Sequence, residues 1–303
     1  MRAIAFLGLL TVPQGKKAGK PLKLAGFQRK FIKGAFAPGV MVGVLSIGRG
    51  NAKTALAAGL AFAELAGALD ENPQPGREII FAARNRDQAK IAFDFLLGYL
   101  RGLPEADQAQ FIIRRGSKLE VETEANGGGL ARVIAADGKS VLGGAPTLAV
   151  LDERAAWERE KGDSLENAIL SGLGKRDGRA LIISTSAPDD ANTFSRWLDE
   201  PPPGTFVQEH RPPFGLPADD LDSLLIANPG AAEGIGSSPE WLVAQAQRAI
   251  ARGGSALSSF RNLNRNERVS TEDRSVLVTV DEWLSAEVAP DQLPPRQGCL
   301  LYT

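Results

Sequence analysis

Continuous apolar runs alternate with helical stripes along the first two-thirds of the chain. VMVGVLS (Val40–Ser46) reads as a buried strand, and the Ala/Leu-rich stretch at 55–69 as a helix. EIIFAA (Glu78–Ala83) predicts a second strand. The stretch 86–103 follows with a helical stripe of Ala89, Ala92, Phe93, Leu96, Leu97 and Leu100. QFIIRR, KLEVET and LARVIAA predict three short strands in a meander. TLAVLDE (Thr147–Glu153) predicts a strand ending in two carboxylates, and RALIISTSA (Arg179–Ala187) one ending in hydroxyls. This alternation is the pattern of an α/β fold with a mostly parallel sheet flanked by helices. After Pro188 come proline-rich loops, then two helical segments. The first has Ser238 as N-cap, Pro239 at its first turn and Gly253 at its end. Residues 274–303 read as a linker with one strand and a short helix.

Composition narrows the chemistry. The chain has 303 residues, 43% of them hydrophobic, enough for a sizeable core. Its single cysteine, Cys299, and single histidine, His210, exclude an internal disulfide and a Cys/His zinc site. A Ser-His-Asp triad would have to use His210, which reads as a strand end entering a proline-rich loop. The N-terminal apolar run is too short to span a membrane and lacks a cleavage site, which points to a cytosolic chain. Net charge is −1, but its distribution is uneven. The first 63 residues hold ten Lys or Arg and no acid, leaving 25 basic against 36 acidic residues in the rest. Such a basic end suits a polyanion, and equally a solvated face.

Between the first strand and its helix lies Gly48-Arg49-Gly50-Asn51-Ala52-Lys53-Thr54. A strand, a turn and Lys-Thr opening a helix is the context of a phosphate-binding loop. Lys53 would reach the β and γ phosphates, and Thr54 would ligate Mg²⁺. Two glycines of the usual pattern are absent: Ile47 and Ala52 stand in their places. A Gly-Asn turn capping a core helix explains the same residues. Asp152 and Glu153 end a later strand, at the sheet edge where ligands of parallel sheets sit. Asp152 would hold Mg²⁺ and Glu153 would polarise the attacking water, although an acidic helix cap is the alternative. Ser184, Thr185 and Ser186 would sense the γ-phosphate or contact Asp152.

In order and spacing these pieces resemble the ATPase half of the large terminase subunit of tailed phages. GKPLKLAGFQRKFIKGAF is similar to the family's segment before the loop, and the match makes Gln28 an adenine contact. Arg49 to Thr54 match the family's R-x-x-G-K-[ST] except at Ala52. LAVLDERAAW and GRALIISTSA resemble its Walker-B and coupling segments, with Arg154 after the acids and Thr185 in the coupling segment. Asn228-Pro229 and Leu263-Asn264 resemble its later helical part. The resemblance implies a P-loop NTPase with a RecA-like sheet (1–212), a small helical lid subdomain (213–270), and a linker with the start of a truncated nuclease domain (271–303). It implies ATP and Mg²⁺ as cofactors. Lys53, Arg49 and Glu153 would be catalytic, and Gln28, Gly48, Gly50, Asn51, Ala52, Lys53, Thr54 and Thr185 would bind nucleotide. The metal would lie on Thr54 and Asp152. The implied partners are double-stranded DNA, a portal protein and a small terminase subunit, with a homo-oligomeric ring acting in the host cytoplasm and no membrane. A further arginine from a neighbouring subunit would be one of Arg84, Arg86, Arg114 or Arg115.

Three rival readings compete: a helicase-like ATPase, a small-molecule kinase, and a non-catalytic assembly protein whose loop has decayed. Against the last, Ala52 is expected to be tolerated, because residues at a helix start have φ near −60°, which alanine adopts freely.

Overall fold

The computed structural model describes residues 2–135 and 144–269. Met1–Thr271 form one compact unit, and Glu272–Thr303 form a second that lies outside the described residues. The expected linker and nuclease start (271–303) lie outside the described residues. In chain order the elements are α1 (Arg2–Leu9), α2 (Gly26–Ala35), β1 (Val42–Ser46), α3 (Lys53–Leu65), β2 (Arg77–Ala83), α4 (Arg86–Arg101), α5 (Glu105–Gln108), β3 (Phe111–Arg115), β4 (Leu119–Thr123), β5 (Gly129–Ala135), β6 (Leu148–Asp152), α6 (Arg159–Leu173), β7 (Arg179–Ser184), α7 (Thr193–Asp199), β8 (Thr205–Glu209), α8 (Leu221–Ala227), α9 (Pro239–Arg252) and α10 (Gly254–Arg265).

The eight strands form one sheet in the order β3-β4-β5-β2-β6-β7-β1-β8. Five neighbouring pairs, from β5–β2 through β1–β8, are parallel. The outer meander β3-β4-β5 is antiparallel. Strands buried on both faces explain the continuous apolar runs. Along β6, Leu148 and Val150 enter one core while Ala149 and Leu151 enter the other. Leu181 and Ile183 of β7 likewise oppose Ala180 and Ile182. α1, α2, α3 and α4 supply the first layer, α6 and α7 the second. The N-terminal apolar run is α1, whose Ala3 and Leu7 are buried.

α8, α9 and α10 carry a separate small core around Leu224, Leu242, Ala246 and Phe260. α9 starts at the Ser238 cap, whose side chain accepts from the Trp241 N–H, and ends at Gly253. Register fixes the geometry of the sheet's carboxyl edge. Ser46 of β1 pairs with Ser184 of β7, and Asp152 of β6 with Ile183. The ends of three adjacent parallel strands therefore converge.

Candidate functional site

The site lies where β1, β6 and β7 end. The loop leaving β1 begins with two N–H groups spent on the helical subdomain: Gly48 donates to the Ala227 carbonyl (3.0 Å) and Arg49 to that of Leu263 (2.7 Å). Gly48 has no room for a side chain, because a Cβ would stand 2.7 Å from Asn228 Oδ1 and 2.9 Å from the Ala227 carbonyl. Gly50 takes φ +93°, a conformation glycine alone adopts readily. The N–H groups from Gly50 to Thr54 find no acceptor among the described residues. They crown the N-terminus of α3, a ready anion site.

Asn51 is buried, and its side chain is fully engaged. Its Nδ2 donates to the Gly48 carbonyl (2.8 Å) and to Asn228 Oδ1 (3.0 Å), and its Oδ1 accepts from the Gly230 N–H (3.1 Å). It ties the loop to the turn after α8 rather than capping α3, whose N-cap is Ala52 with no side-chain bond. Ala52 corrects the sequence expectation: it sits at φ +56°, ψ +30°, in the left-handed region. The preceding Asn51 is anchored to Gly48, Asn228 and Gly230, and such tertiary anchoring holds a residue outside its preferred region.

Lys53 and Thr54 open α3 and point at the carboxyl ends. Thr54 Oγ1 donates to Asp152 Oδ2 (2.9 Å), and the Lys53 ammonium pairs with Glu153 Oε1 (2.8 Å). Asp152 is 5% exposed. Burial first, then the adjacent Glu153, push its carboxyl up to about 6, against the pull of Lys53 and Thr54. Its Oδ1 is buried without a hydrogen-bond partner. A buried carboxylate oxygen without a partner, beside a threonine hydroxyl, suits a hard divalent cation whose other ligands would be phosphate and water. No group of three or more His, Cys, Asp or Glu gathers for a metal among the described residues.

Glu153 also sits in the left-handed region (φ +49°, ψ +48°) and makes no side-chain cap to the turn after it. Its Oε2 accepts from the Thr185 N–H (3.3 Å) and from Ser184 Oγ (3.4 Å). The hydroxyl segment thus meets Glu153 rather than Asp152. Arg49 is exposed, and its side chain has no partner among the described residues. Gln28 is buried in α2, with Oε1 accepting from the Ala25 N–H (3.0 Å). Of the four candidate arginines, Arg86 donates to the Gly116 and Ser117 carbonyls, Arg114 pairs with Glu122 and Arg115 with Asp94. Arg84 follows the end of β2, exposed and without a partner among the described residues. His210 is half-buried, edge-on to Phe27 (5.8 Å), and desolvation lowers its pKa.

One hub was not singled out from sequence. Asn266, the left-handed C-cap of α10, donates from Nδ2 to Ser46 Oγ (2.9 Å) and the His210 carbonyl (3.1 Å). Its Oδ1 accepts from the Ser186 N–H (2.7 Å). Asn262 adds bonds to the Ser186 and Ala187 carbonyls. Asparagine at a helix end was the available signal; its partners lie too far along the chain to be read.

Comparison with known proteins gives the family of the chain. The family described as "Terminase large subunit, ATPase domain" matches residues 40–197. The terminase large subunit of Enterobacteria phage HK97 is 33% identical over 283 residues, spanning 89% of this chain and 53% of that protein. The crystal structure of the HK97 large terminase superposes with a TM-score of 0.75 at 29% identity, over 88% of this chain and 55% of that one. The ATPase domain of the Thermus phage P74-26 large terminase shares the fold, with a TM-score of 0.54 at 21% identity over 82% of this chain and 94% of that one. This chain spans about half the length of its HK97 relative. It belongs to the terminase large-subunit ATPase-domain family.

Proposed function

We propose that the chain binds and hydrolyses ATP with Mg²⁺ and that the turnover drives double-stranded DNA into a phage capsid. One observation carries the hydrolysis: Lys53, Thr54, Asp152 and Glu153 meet at a helix N-terminus whose N–H groups are free for phosphate oxygens. In this reading the N–H groups of Gly50 to Thr54 and the Lys53 ammonium hold the β and γ phosphates, and Arg49 reaches in from the exposed side of the loop. Thr54 and Asp152 would hold the cation. When bound, the cation would neutralise phosphate charge and align the γ-phosphoryl group. Glu153 leaves Lys53 as phosphate arrives, then accepts a hydrogen bond from water and orients it for in-line attack. Thr185, whose N–H already touches Glu153, reports the presence of the γ-phosphate through Ser186 to Asn266. Gln28 faces the adenine.

The motor assignment adds a homo-oligomeric ring, a portal protein and a small terminase subunit as partners, in the cytoplasm of the bacterial host. No described helix is long and apolar enough to cross a membrane. For DNA, the exposed basic side chains Lys16, Lys20, Lys23, Arg29, Lys30 and Lys33 near the N-terminus form the contact surface.

Two measurements test these readings. Purified chain should release phosphate from ATP only with Mg²⁺, and Lys53→Ala should abolish both binding and release. Absence of turnover in the parent, with and without DNA, would sink the ATPase reading. Binding to duplex DNA should be independent of sequence and weaken steeply with salt. Salt-insensitive binding would remove the basic end from the DNA interface.

A further inference from the structure

A buried arginine follows the acidic pair, and the phosphate site does not use it. The Arg154 side chain is 1% exposed. Its Nε donates to Glu166 Oε2 and its Nη2 to Asp163 Oδ1, both on α6. The guanidinium lies over the Trp157 ring, 5.1 Å from its centre. Both carboxylates are themselves held from α7: Trp197 Nε1 donates to Glu166 Oε1 (2.9 Å) and Thr193 Oγ1 to Asp163 Oδ1 (2.8 Å). Trp157 in turn donates from Nε1 to the Asp152 carbonyl (2.9 Å). At Gly162 a Cβ would come within 2.9 Å of Trp157 Cβ, so α6 packs directly on this turn.

Between these fixed points stands Glu153 in the left-handed region, which residues with a Cβ avoid. Such a conformation persists where its surroundings over-determine it. On the N-terminal side the anchors are the β6 ladder and the Trp157 bond to Asp152. On the C-terminal side the Ala155 N–H donates to Ser184 Oγ (3.1 Å), and Arg154 binds two acids. Arg154 is the strongest of these anchors, because both its bonds are charge-assisted and the one to Glu166 is fully buried.

We propose that Arg154 is a positioning residue for hydrolysis: clamped by Glu166 and Asp163, it holds Glu153 in its left-handed turn and so sets where the carboxylate points. The proposal rests on the ATPase reading for its kinetics but not for its geometry. Lysine keeps the charge yet lacks the fixed fork that engages two carboxylates at once.

The test is Arg154→Lys, alone and combined with Glu153→Gln. Alone, kcat should fall about tenfold or more while affinity for a fluorescent ATP analogue changes less than about threefold. In the Glu153→Gln background the same substitution should cause no further loss, since it acts through the side chain already removed. Without nucleotide, hydrogen exchange at Thr185 and over 153–157 should quicken. Parental kcat in Arg154→Lys, or the same fractional loss in both backgrounds, would overturn the proposal. If Arg154→Lys does not fold, Trp197→Phe, which removes only the donor holding Glu166, should show the same pattern in weaker form. Parental kcat there would likewise overturn it. If the parent itself shows no turnover, the ATPase reading fails separately. Hydrogen exchange then decides alone, with unchanged protection of Thr185 counting against Arg154.

Discussion

The Lys53 ammonium lies 2.8 Å from the Glu153 carboxylate, so the two side chains to which the proposed function assigns phosphate and water are paired with each other. The same carboxylate also takes the Thr185 N–H. On the proposed function, Glu153 here occupies positions that suit a γ-phosphate oxygen, and nucleotide would displace it.

Replacing Glu153 by Gln removes the competing charge but keeps the shape. Glu153→Gln should bind Mg-ATP more tightly than the parent, by up to about tenfold, equivalent to about 1.4 kcal/mol. Its turnover should fall by about a hundredfold or more, the usual effect of losing a general base. Titration of a fluorescent ATP analogue and a phosphate-release assay would check both. Weaker binding in Glu153→Gln would mean that the carboxylate helps to hold nucleotide rather than competing with it.

Ala52 adopts φ +56° with a Cβ that this region disfavours. For a non-glycine residue the conformation costs about 1–2 kcal/mol. Glycine avoids that penalty but loses about 0.5–1 kcal/mol more entropy on folding. Ala52→Gly should therefore stabilise the chain by about 0.5–1 kcal/mol. Its ATP affinity should change by less than about tenfold, because the loop already holds the required shape. Denaturant unfolding and nucleotide titration would measure the two effects. A lower unfolding midpoint for Ala52→Gly would show that the alanine methyl makes a contact worth more than the strain.

The middle of the sheet was legible because its strands are buried on both faces. Val42–Ser46 and Leu148–Asp152 are unbroken in burial as in sequence. Lys53, Thr54, Asp152 and Glu153 could be brought together because parallel strands gather their carboxyl ends. α6 was passed over although Leu165, Ile169 and Leu173 recur at helical spacing, since polar residues and glycines dilute the stripe. The φ of Ala52 was misjudged because residue type argues for the ordinary helical region, and the contrary constraint comes from Asn228 and Gly230, far along the chain. For the same reason nothing local marked the Asn51 side chain as a strut between the loop and the turn after α8.

Glu64 offers a pH-dependent test of the core. It ends the buried face of α3 with Thr147, Asp70, Arg77 and Arg179 around it. Burial raises its carboxyl above the usual 4.5, outweighing the Thr147 bond and the two arginines. A raised folded value means that the fold prefers the protonated form. The stability this contributes is complete below the unfolded value and is lost as pH rises through the folded one. Glu64→Gln mimics the protonated state at every pH. Its melting temperature should exceed the parent's at pH 8, and the difference should vanish toward pH 4. An equal shift at both ends would locate the effect in packing instead of ionisation.

Gly48 tests whether the helical subdomain must sit on the loop. Its hydrogen atoms face Asn228 Oδ1, the Ala227 carbonyl and the Asn264 carbonyl, at 2.7, 2.9 and 3.0 Å from where a Cβ would lie. Two of these three atoms are backbone, so the side chain cannot be accommodated by a rotamer change. Gly48→Ala must push the end of α8 and the end of α10 away from the loop. That displaces the Gly48 bond to Ala227, the Arg49 bond to Leu263 and the Asn51 bridge to Asn228 and Gly230. Overpacking of this kind costs about 1–3 kcal/mol. The loss should appear as reduced stability together with faster hydrogen exchange confined to 221–267 and to the loop, while the strands β2, β5 and β6 keep their protection. Turnover should fall more than nucleotide affinity, because Lys53 and Thr54 remain at the helix N-terminus while the Asn228 and Asn264 contacts are lost. If Gly48→Ala melts and turns over like the parent, the subdomain is not tightly seated on the loop in solution, and the route from Thr185 through Asn266 carries no coupling.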